Sequence, residues 1–271
     1  MGWPRLLAVV GAAHPGAAWP PSMISTMLAR PSLFLLVAIG ASCRSAAPDT
    51  APISAPAPRA ATLPDGVRWV RDAAEYRAAT LQAYRQATSA IEALAAGRAA
   101  GSWAVVLDAD ETVINNVTYQ LERAQQGLGY SPESWTAWVR RREATPIPGA
   151  SAFLARVRAL GGRIAIVTNR LQSECADTAA VFERHRLAHD AILCRPDGGP
   201  SDKNPRFEAV AAGRTPASDT PVEILAFVGD NILDFPGLSQ QAALKGESNL
   251  APFGARFFVL PNPMYGSWLP Q

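Results

Sequence analysis

Four short clusters of reactive side chains punctuate the chain. They are Asp108-Ala-Asp110-Glu-Thr112, Thr168-Asn169-Arg170, the isolated Lys203, and Gly229-Asp230-Asn231-Ile-Leu-Asp234-Phe235. The carboxylates offer hard oxygen ligands to a cation such as Mg²⁺, and a carboxylate is also a nucleophile. A lysine with neighbouring hydroxyl and amide groups suits an anionic, oxygen-rich reacting group. Singly, each cluster is weak, because Asp-x-Asp caps helices and Gly-Asp makes turns. Together they are hard to read as turns. Three abut the end of an apolar run, and Lys203, one of only two lysines with Lys245, opens the helix after another.

Those runs are the elements that must position the clusters. Trp103–Leu107, Arg163–Val167, Ala191–Cys194, Glu223–Val228 and Arg256–Leu260 are short, apolar and suited to strands buried on both faces. Helical patterns lie between them at Ala150–Leu160, Glu174–Arg186 and Pro205–Ala212. A long helix is expected over Arg71–Ala96, with Tyr76, Ala79, Tyr84, Ile91 and Leu94 sharing a stripe. Strands alternating with helices predict an α/β fold, a parallel sheet flanked by helices with its site at the strands' C-terminal ends. Residues 115–148 break the alternation and read as a small cap inserted after the first strand.

In these motifs the chain resembles the haloacid dehalogenase superfamily, with its Rossmann-like fold, and within it the class C acid phosphatases. The first motif is VVLDADETVINN, the second IVTNR, the third KNPRF and the fourth FVGDNILDF. Trp135-Thr-Ala-Trp138-Val, Pro146-Ile-Pro-Gly-Ala and the tail LPNPMYGSW (Leu260–Trp268) resemble the family's cap and C-terminus. The resemblance runs from about Trp69 onward. It implies hydrolysis of phosphate monoesters through an acyl-phosphate on Asp108. It implies Mg²⁺ held by the Asp108 and Asp230 carboxylates and the Asp110 carbonyl, with Asp234 behind them orienting waters and Lys203. Asp110 would protonate the leaving alkoxide and then deprotonate water, which suits an acidic optimum. Thr168 and Asn169 would bind phosphoryl oxygens, and Lys203 would neutralise the transferring charge. Trp135 and Tyr265 match positions that sandwich a nucleobase, which implies nucleoside 5′-monophosphates as substrates. Tyr119 is a further cap aromatic expected at the substrate, whereas Trp138 is expected to pack the cap. Two other readings share parts of this pattern: a phosphatase for other small esters such as sugar phosphates, and a non-catalytic surface protein keeping the fold.

The N-terminus carries separate information. Leu33–Ser42 is an apolar run of ten residues behind Arg30, which has the form of a secretory signal and is too short to span a bilayer. Residues 1–42 are read as that signal. A start at Met23 or Met27 makes it compact and leaves residues 1–22 as an over-called start. Cys43 follows in Ile-Gly-Ala-Ser-Cys, which resembles a bacterial lipoprotein signal, although Gly40 stands where Leu is usual. Either Cys43 is lipidated, or cleavage near Ala41 leaves it free. Residues 43–66 form a Pro/Ala-rich tether, and residues 67–271 the folded domain. The expectation is an exported protein anchored through lipid, facing the periplasm or cell surface.

Residues 1–42 hold Arg5 and Arg30 and no acid, so the remainder carries 23 basic and 23 acidic residues. That balance gives no nucleic-acid footprint. Cys175 and Cys194 could pair as a disulfide or remain buried thiols. With His185 and His189 they could form a zinc site, but no CxxC spacing supports it, and a solvated helix end is the plainer reading of the histidines. Arg140–Arg142 is read as a solvated helix face. Asn116-Val-Thr118 fits a glycosylation sequon and is discounted because it adjoins the site.

Overall fold

The computed structural model describes residues 62–269. Helices α1 (Asp65–Asp72) and α2 (Ala74–Leu94) lead into strand β1 (Trp103–Leu107). The cap follows: β2 (Ile114–Asn115), α3 (Val117–Gln125), α4 (Pro132–Arg141) and β3 (Thr145–Pro146). Then come α5 (Ala150–Ala159), β4 (Arg163–Leu171), α6 (Cys175–Arg184), β5 (Ala191–Arg195), α7 (Asn204–Ala211), β6 (Glu223–Gly229), α8 (Gln240–Ala243) and β7 (Phe257–Val259).

The five long-range strands form one parallel sheet in the order β5-β4-β1-β6-β7. Every residue of β1 is buried. Its side chains alternate between two cores, as a period of two requires. Trp103, Val105 and Leu107 pack with Tyr84 and Ile91 of α2 and with Phe153 and Phe182. Ala104 and Val106 face Phe207, Phe227 and Phe235 on the other side. β1 is also where the strand order reverses: β4 and β5 lie to one side, β6 and β7 to the other. Such a switch point opens a crevice at the carboxyl ends of β1 and β6. The clusters after both strands therefore meet there.

The cap leaves and returns through an antiparallel pair, Ile114 opposite Pro146 and Asn115 opposite Thr145. Its helix α4 starts at Ser131, whose hydroxyl accepts from the Ser134 N–H, with Pro132 at the first helical position.

Three elements differ from their expected form. The helix expected over Arg71–Ala96 is broken at Ala73, which is extended (φ −82°, ψ 130°). Tyr76, Thr80, Tyr84, Ala87 and Ile91 share one buried stripe. In a straight helix turning roughly 100° per residue, Val67 would lie about 100° from Tyr84 and outside that stripe, and Val70 about 40° from it, at the stripe's edge. With the break, both are buried. β4 runs past Val167 to Leu171, parting from β5 through a register shift, and so carries Thr168–Arg170 within the strand. β7 is shorter than expected.

Cys175 and Cys194 form a disulfide between the first residue of α6 and β5, with Cα atoms 6.0 Å apart. The zinc reading fails, because both sulfurs are consumed. His185 Nε2 lies 3.0 Å from the Ala144 carbonyl and His189 Nδ1 2.9 Å from the Leu187 carbonyl, so both are half-buried structural contacts rather than a solvated end. No helix among the described residues is long and apolar enough to cross a membrane.

Closing a loop between residues 19 apart should stabilise the fold by about 3 kcal/mol. Cys194→Ser, or reduction of the native protein, is expected to lower the unfolding free energy by about that amount in denaturant titrations. Identical oxidised and reduced curves would contradict the disulfide.

Candidate active site

Asp108 follows β1 directly, and its N–H donates to the Val228 carbonyl of β6 (3.0 Å), so it stays on the sheet. Lys203, the residue before α7, is buried and donates to Asp108 Oδ1 at 2.5 Å and Asp234 Oδ1 at 2.6 Å. Asp234 closes the turn after Asn231, whose N–H donates to its Oδ2 at 2.9 Å. That turn presses on the end of β6: a Cβ at Gly229 would lie 2.3 Å from the Asp234 Cβ, so only glycine fits. Asp230 takes neutral donors instead, Thr112 Oγ1 at 3.2 Å and Asn262 Nδ2 at 2.8 Å.

One oxygen from each of Asp108, Asp230 and Asp234 lies within 4.8 Å of the others. Burial pushes the Asp108 carboxyl up to about 7; Lys203 opposes the rise, and Asp234 and Asp110 add to it. Burial likewise raises Asp230 well above the usual carboxylate range, with further repulsion from Asp234 and Asp108. Burial works against the Lys203 ammonium, yet Asp108 and Asp234 outweigh it and raise its pKa. Three carboxylates against one ammonium leave negative charge to offset, and Asp230 has no ion-pair partner among the described residues. An all-oxygen, net-negative donor set fits a hard divalent cation.

Asp110 sits in a different environment. Arg170, on β4 and 1% exposed, donates to both of its oxygens, and Asn116 Nδ2 donates to Oδ1 at 2.8 Å. Next to it Glu111 adopts a positive φ of 52° and is buried. Burial, with repulsion from Asp110 and Asp230, raises its carboxyl well above normal, while the Asn116 backbone and side chain donate to it.

These groups line a cleft of about 780 Å³, a volume suited to a small organic ligand. Asp108, Asp110, Asn169, Lys203, Asp230 and Asp234 are all on its wall, and so are Trp135 and Tyr265. Thr168 is not: it is fully buried behind the wall, and its Oγ1 accepts from the Arg170 N–H at 3.1 Å. Asn169 is exposed and steadied by Arg206 at 2.6 Å. The expectation of Tyr119 at the substrate is corrected. Its side chain is buried, its hydroxyl pairs with Ser134 Oγ at 2.9 Å, and its ring meets Trp135 edge-on at 5.2 Å. It supports Trp135 from behind. Trp138 is buried, its Nε1 donating to Asn116 Oδ1 at 2.8 Å. Arg141 and Arg142 are engaged in ion pairs with Glu122, Glu143 and Asp177. Asn116 is fully buried, which removes it as a glycosylation acceptor.

Four residues of the site were given no role there from sequence: Arg170 and Glu111, named only within their clusters, Asn116, named only as a sequon, and Asn262, seen only within the tail. Each stands inside or beside a motif, but nothing in one sequence says which carboxylate an adjacent arginine or asparagine will reach.

A family model described as HAD superfamily, subfamily IIIB (acid phosphatase), matches residues 40–268. Among solved structures, the class C acid phosphatase from Bacillus anthracis is similar, with a TM-score of 0.66 at 30% identity, covering 75% of this chain and 85% of that one. The same enzyme with tungstate bound matches with the same values.

A divalent cation should stabilise the folded protein by filling the carboxylate cluster. At about a hundred times its dissociation constant the gain is about 2.7 kcal/mol. Protons compete for the same oxygens, so the gain should shrink as pH falls below about 7, where Asp108 takes up its proton. Thermal unfolding with and without cation measures it. Asp230→Asn should abolish the gain, and an undiminished gain in that variant would place the cation elsewhere.

Proposed function

The chain belongs to the acid phosphatases of HAD subfamily IIIB and is a phosphoric monoester hydrolase, and from that premise we propose that it hydrolyses nucleoside 5′-monophosphates, with Mg²⁺, through an aspartyl-phosphate on Asp108. One observation carries this reading. The cleft that holds Asp108, Asp230 and Lys203 also has Trp135 and Tyr265 on its wall. A phosphate at the carboxylates thus has aromatic faces within the same cavity, and base–aromatic stacking accepts any base.

HAD phosphatases use a divalent metal. In this chain the Asp108 and Asp230 carboxylates and the Asp110 carbonyl would hold it, with Asp234 behind them. The bound cation supplies positive charge that offsets repulsion between these carboxylates and the phosphate. The remaining work falls to the chain's own groups. Lys203 and Asn169 bind phosphoryl oxygens and orient phosphorus towards Asp108. An Asp108 oxygen bonds to phosphorus while the bond from phosphorus to the leaving oxygen breaks. Asp110 gives its proton to that oxygen as it departs. Asp110 then takes a proton from water, whose oxygen displaces Asp108 and releases inorganic phosphate. Tungstate, bound by the similar Bacillus anthracis enzyme, is an oxyanion like phosphate, which supports a phosphate-ester substrate.

The location is part of the same proposal. Cys43 lies outside the described residues, and we read it as a lipid anchor joined by the Pro/Ala-rich tether to an exported enzyme at the periplasm or cell surface. The signal-like run before Cys43 and a disulfide suited to an oxidising compartment support that reading.

Asp108→Asn removes the nucleophile with little change of shape. It should abolish turnover while the far-UV circular dichroism stays that of the folded protein. Activity within about tenfold of the parent would sink the aspartyl-phosphate mechanism. Trp135→Ala and Tyr265→Ala should each lower kcat/KM for a nucleoside monophosphate by about five- to a hundredfold. A small aryl phosphate, which has little to stack, should lose much less. Equal losses on the two substrates would mean that the rings only pack the cap.

A further inference from the structure

Arg170 follows Thr168 and Asn169 in the same motif and lies on the cleft wall with Asn169, yet its polar atoms are taken up by protein partners. Its side chain is 1% exposed, and its hydrogen bonds go to Asp110, Asn116 and Thr178. The Trp135 ring lies over the guanidinium, 5.4 Å from centroid to Cζ. Those bonds commit the guanidinium to Asp110 and its neighbours.

Its contacts with Asp110 are asymmetric. Oδ1 receives Nη2 at 2.7 Å, Nε at 3.0 Å and Asn116 Nδ2 at 2.8 Å. Oδ2 receives only the shared Nε, at 3.1 Å. One oxygen is saturated, and the other keeps its outward lone pair. Asn116 is itself fixed by donating to Glu111 and accepting from Trp138, so the whole frame is buried and pre-set. The Asp110 side chain is 17% exposed and lies on the cleft wall.

We propose that Arg170 is a positioning residue for Asp110: it locks the rotation of the carboxyl group so that Oδ2 is the oxygen that gives a proton to the leaving group and later takes one from water. This rests on the general acid–base role proposed for Asp110. Arg170 itself touches neither substrate nor cation.

The consequence is a dependence on the leaving group. An aliphatic alkoxide departs only with a proton, whereas a nitrophenolate leaves without help. Loss of the Arg170 fork should therefore act selectively, since positioned acid–base catalysis is worth about 10²- to 10⁴-fold.

The experiment compares kcat and KM for a nitrophenyl phosphate and an aliphatic phosphate ester in the Mg²⁺-loaded enzyme. The variants are Arg170→Lys, Arg170→Met, Asp110→Asn and the double variant Asp110→Asn/Arg170→Met. Arg170→Lys keeps the buried charge and loses the two-pronged geometry, so it guards against misfolding of Arg170→Met. Unchanged inhibition by inorganic phosphate, which depends on Lys203 and the cation, reports an intact anion site. Expected is a kcat/KM loss of about a hundredfold or more on the aliphatic ester for Arg170→Met, under about fivefold on the nitrophenyl ester, and a smaller selective loss for Arg170→Lys; kcat/KM reports the step that expels the leaving group and leaves out the later hydrolysis, in which Asp110 serves both esters alike. The double variant should be no worse than Asp110→Asn, because Arg170 acts through Asp110. Equal losses of kcat/KM on both esters, or additive losses in the double variant, overturn the assignment. If Asp110→Asn itself shows no leaving-group selectivity, the acid–base reading of Asp110 fails, and this inference with it; selectivity in Asp110→Asn but not in the Arg170 variants overturns this inference alone.

Discussion

Buried negative charge governs this site. Asp108, Asp230 and Asp234 converge on the carboxyl ends of β1 and β6, where a single ammonium, Lys203, bridges two of them. Removing carboxylates from water costs several kcal/mol each unless charge or hydrogen bonds compensate. The fold supplies part of that compensation. The strand order makes β1 and β6 neighbours, glycine at 229 lets the Asp234 turn close on the sheet, and Thr112 and Asn262 donate to Asp230. What remains uncompensated draws a divalent cation, or a proton when none is bound. The elevated Asp108 and Asp230 carboxyl groups express the same imbalance.

The sheet was legible because its strands are buried on both faces. A run such as Trp-Ala-Val-Val-Leu has one reading once length and flanking glycines are weighed, and each of the five parallel strands overlaps a run seen in the sequence, with β4 extending four residues past its run. Clusters at the ends of such strands share one edge of the sheet, which is why Asp108, Asp110, Lys203, Asp230 and Asp234 could be grouped before any coordinates. The strand order itself was not legible. Nothing local says that β6 rather than β5 lies beside β1.

The misreadings follow from tertiary context. The break at Ala73 has no proline or glycine as a marker; α1 and α2 each bury their own set of side chains on either side of it. Tyr119 was grouped with the cap aromatics by type, but a ring is a ligand wall only if one face is free. Ser134 and Trp135 occupy its hydroxyl and its edge. Asn262 lies 32 residues beyond Asp230, and its amide reaches that carboxylate only because β7 returns the chain beside β6. A disulfide between residues 19 apart is equally a matter of which elements pack together.

In the proposed mechanism two carboxylates two residues apart do different work, and the fold separates them by giving each its own neighbours. Asp108 is bound to the β6 half of the sheet through Val228, and to Asp234 through Lys203, the residue before α7. Asp110 is bound to the other half through Arg170 of β4, and to the base of the cap through Asn116. Titratable groups in unlike environments are how one strand end can serve both as nucleophile and as acid–base. The cap is inserted after that strand end and before β4. Its stalk therefore adjoins the Asp110 frame, while Lys203, Asp230 and Asp234 lie on elements beyond it in the chain. Changes in the cap should then reach proton transfer and the aromatic wall first, and leave the Asp108–Lys203 pair in place.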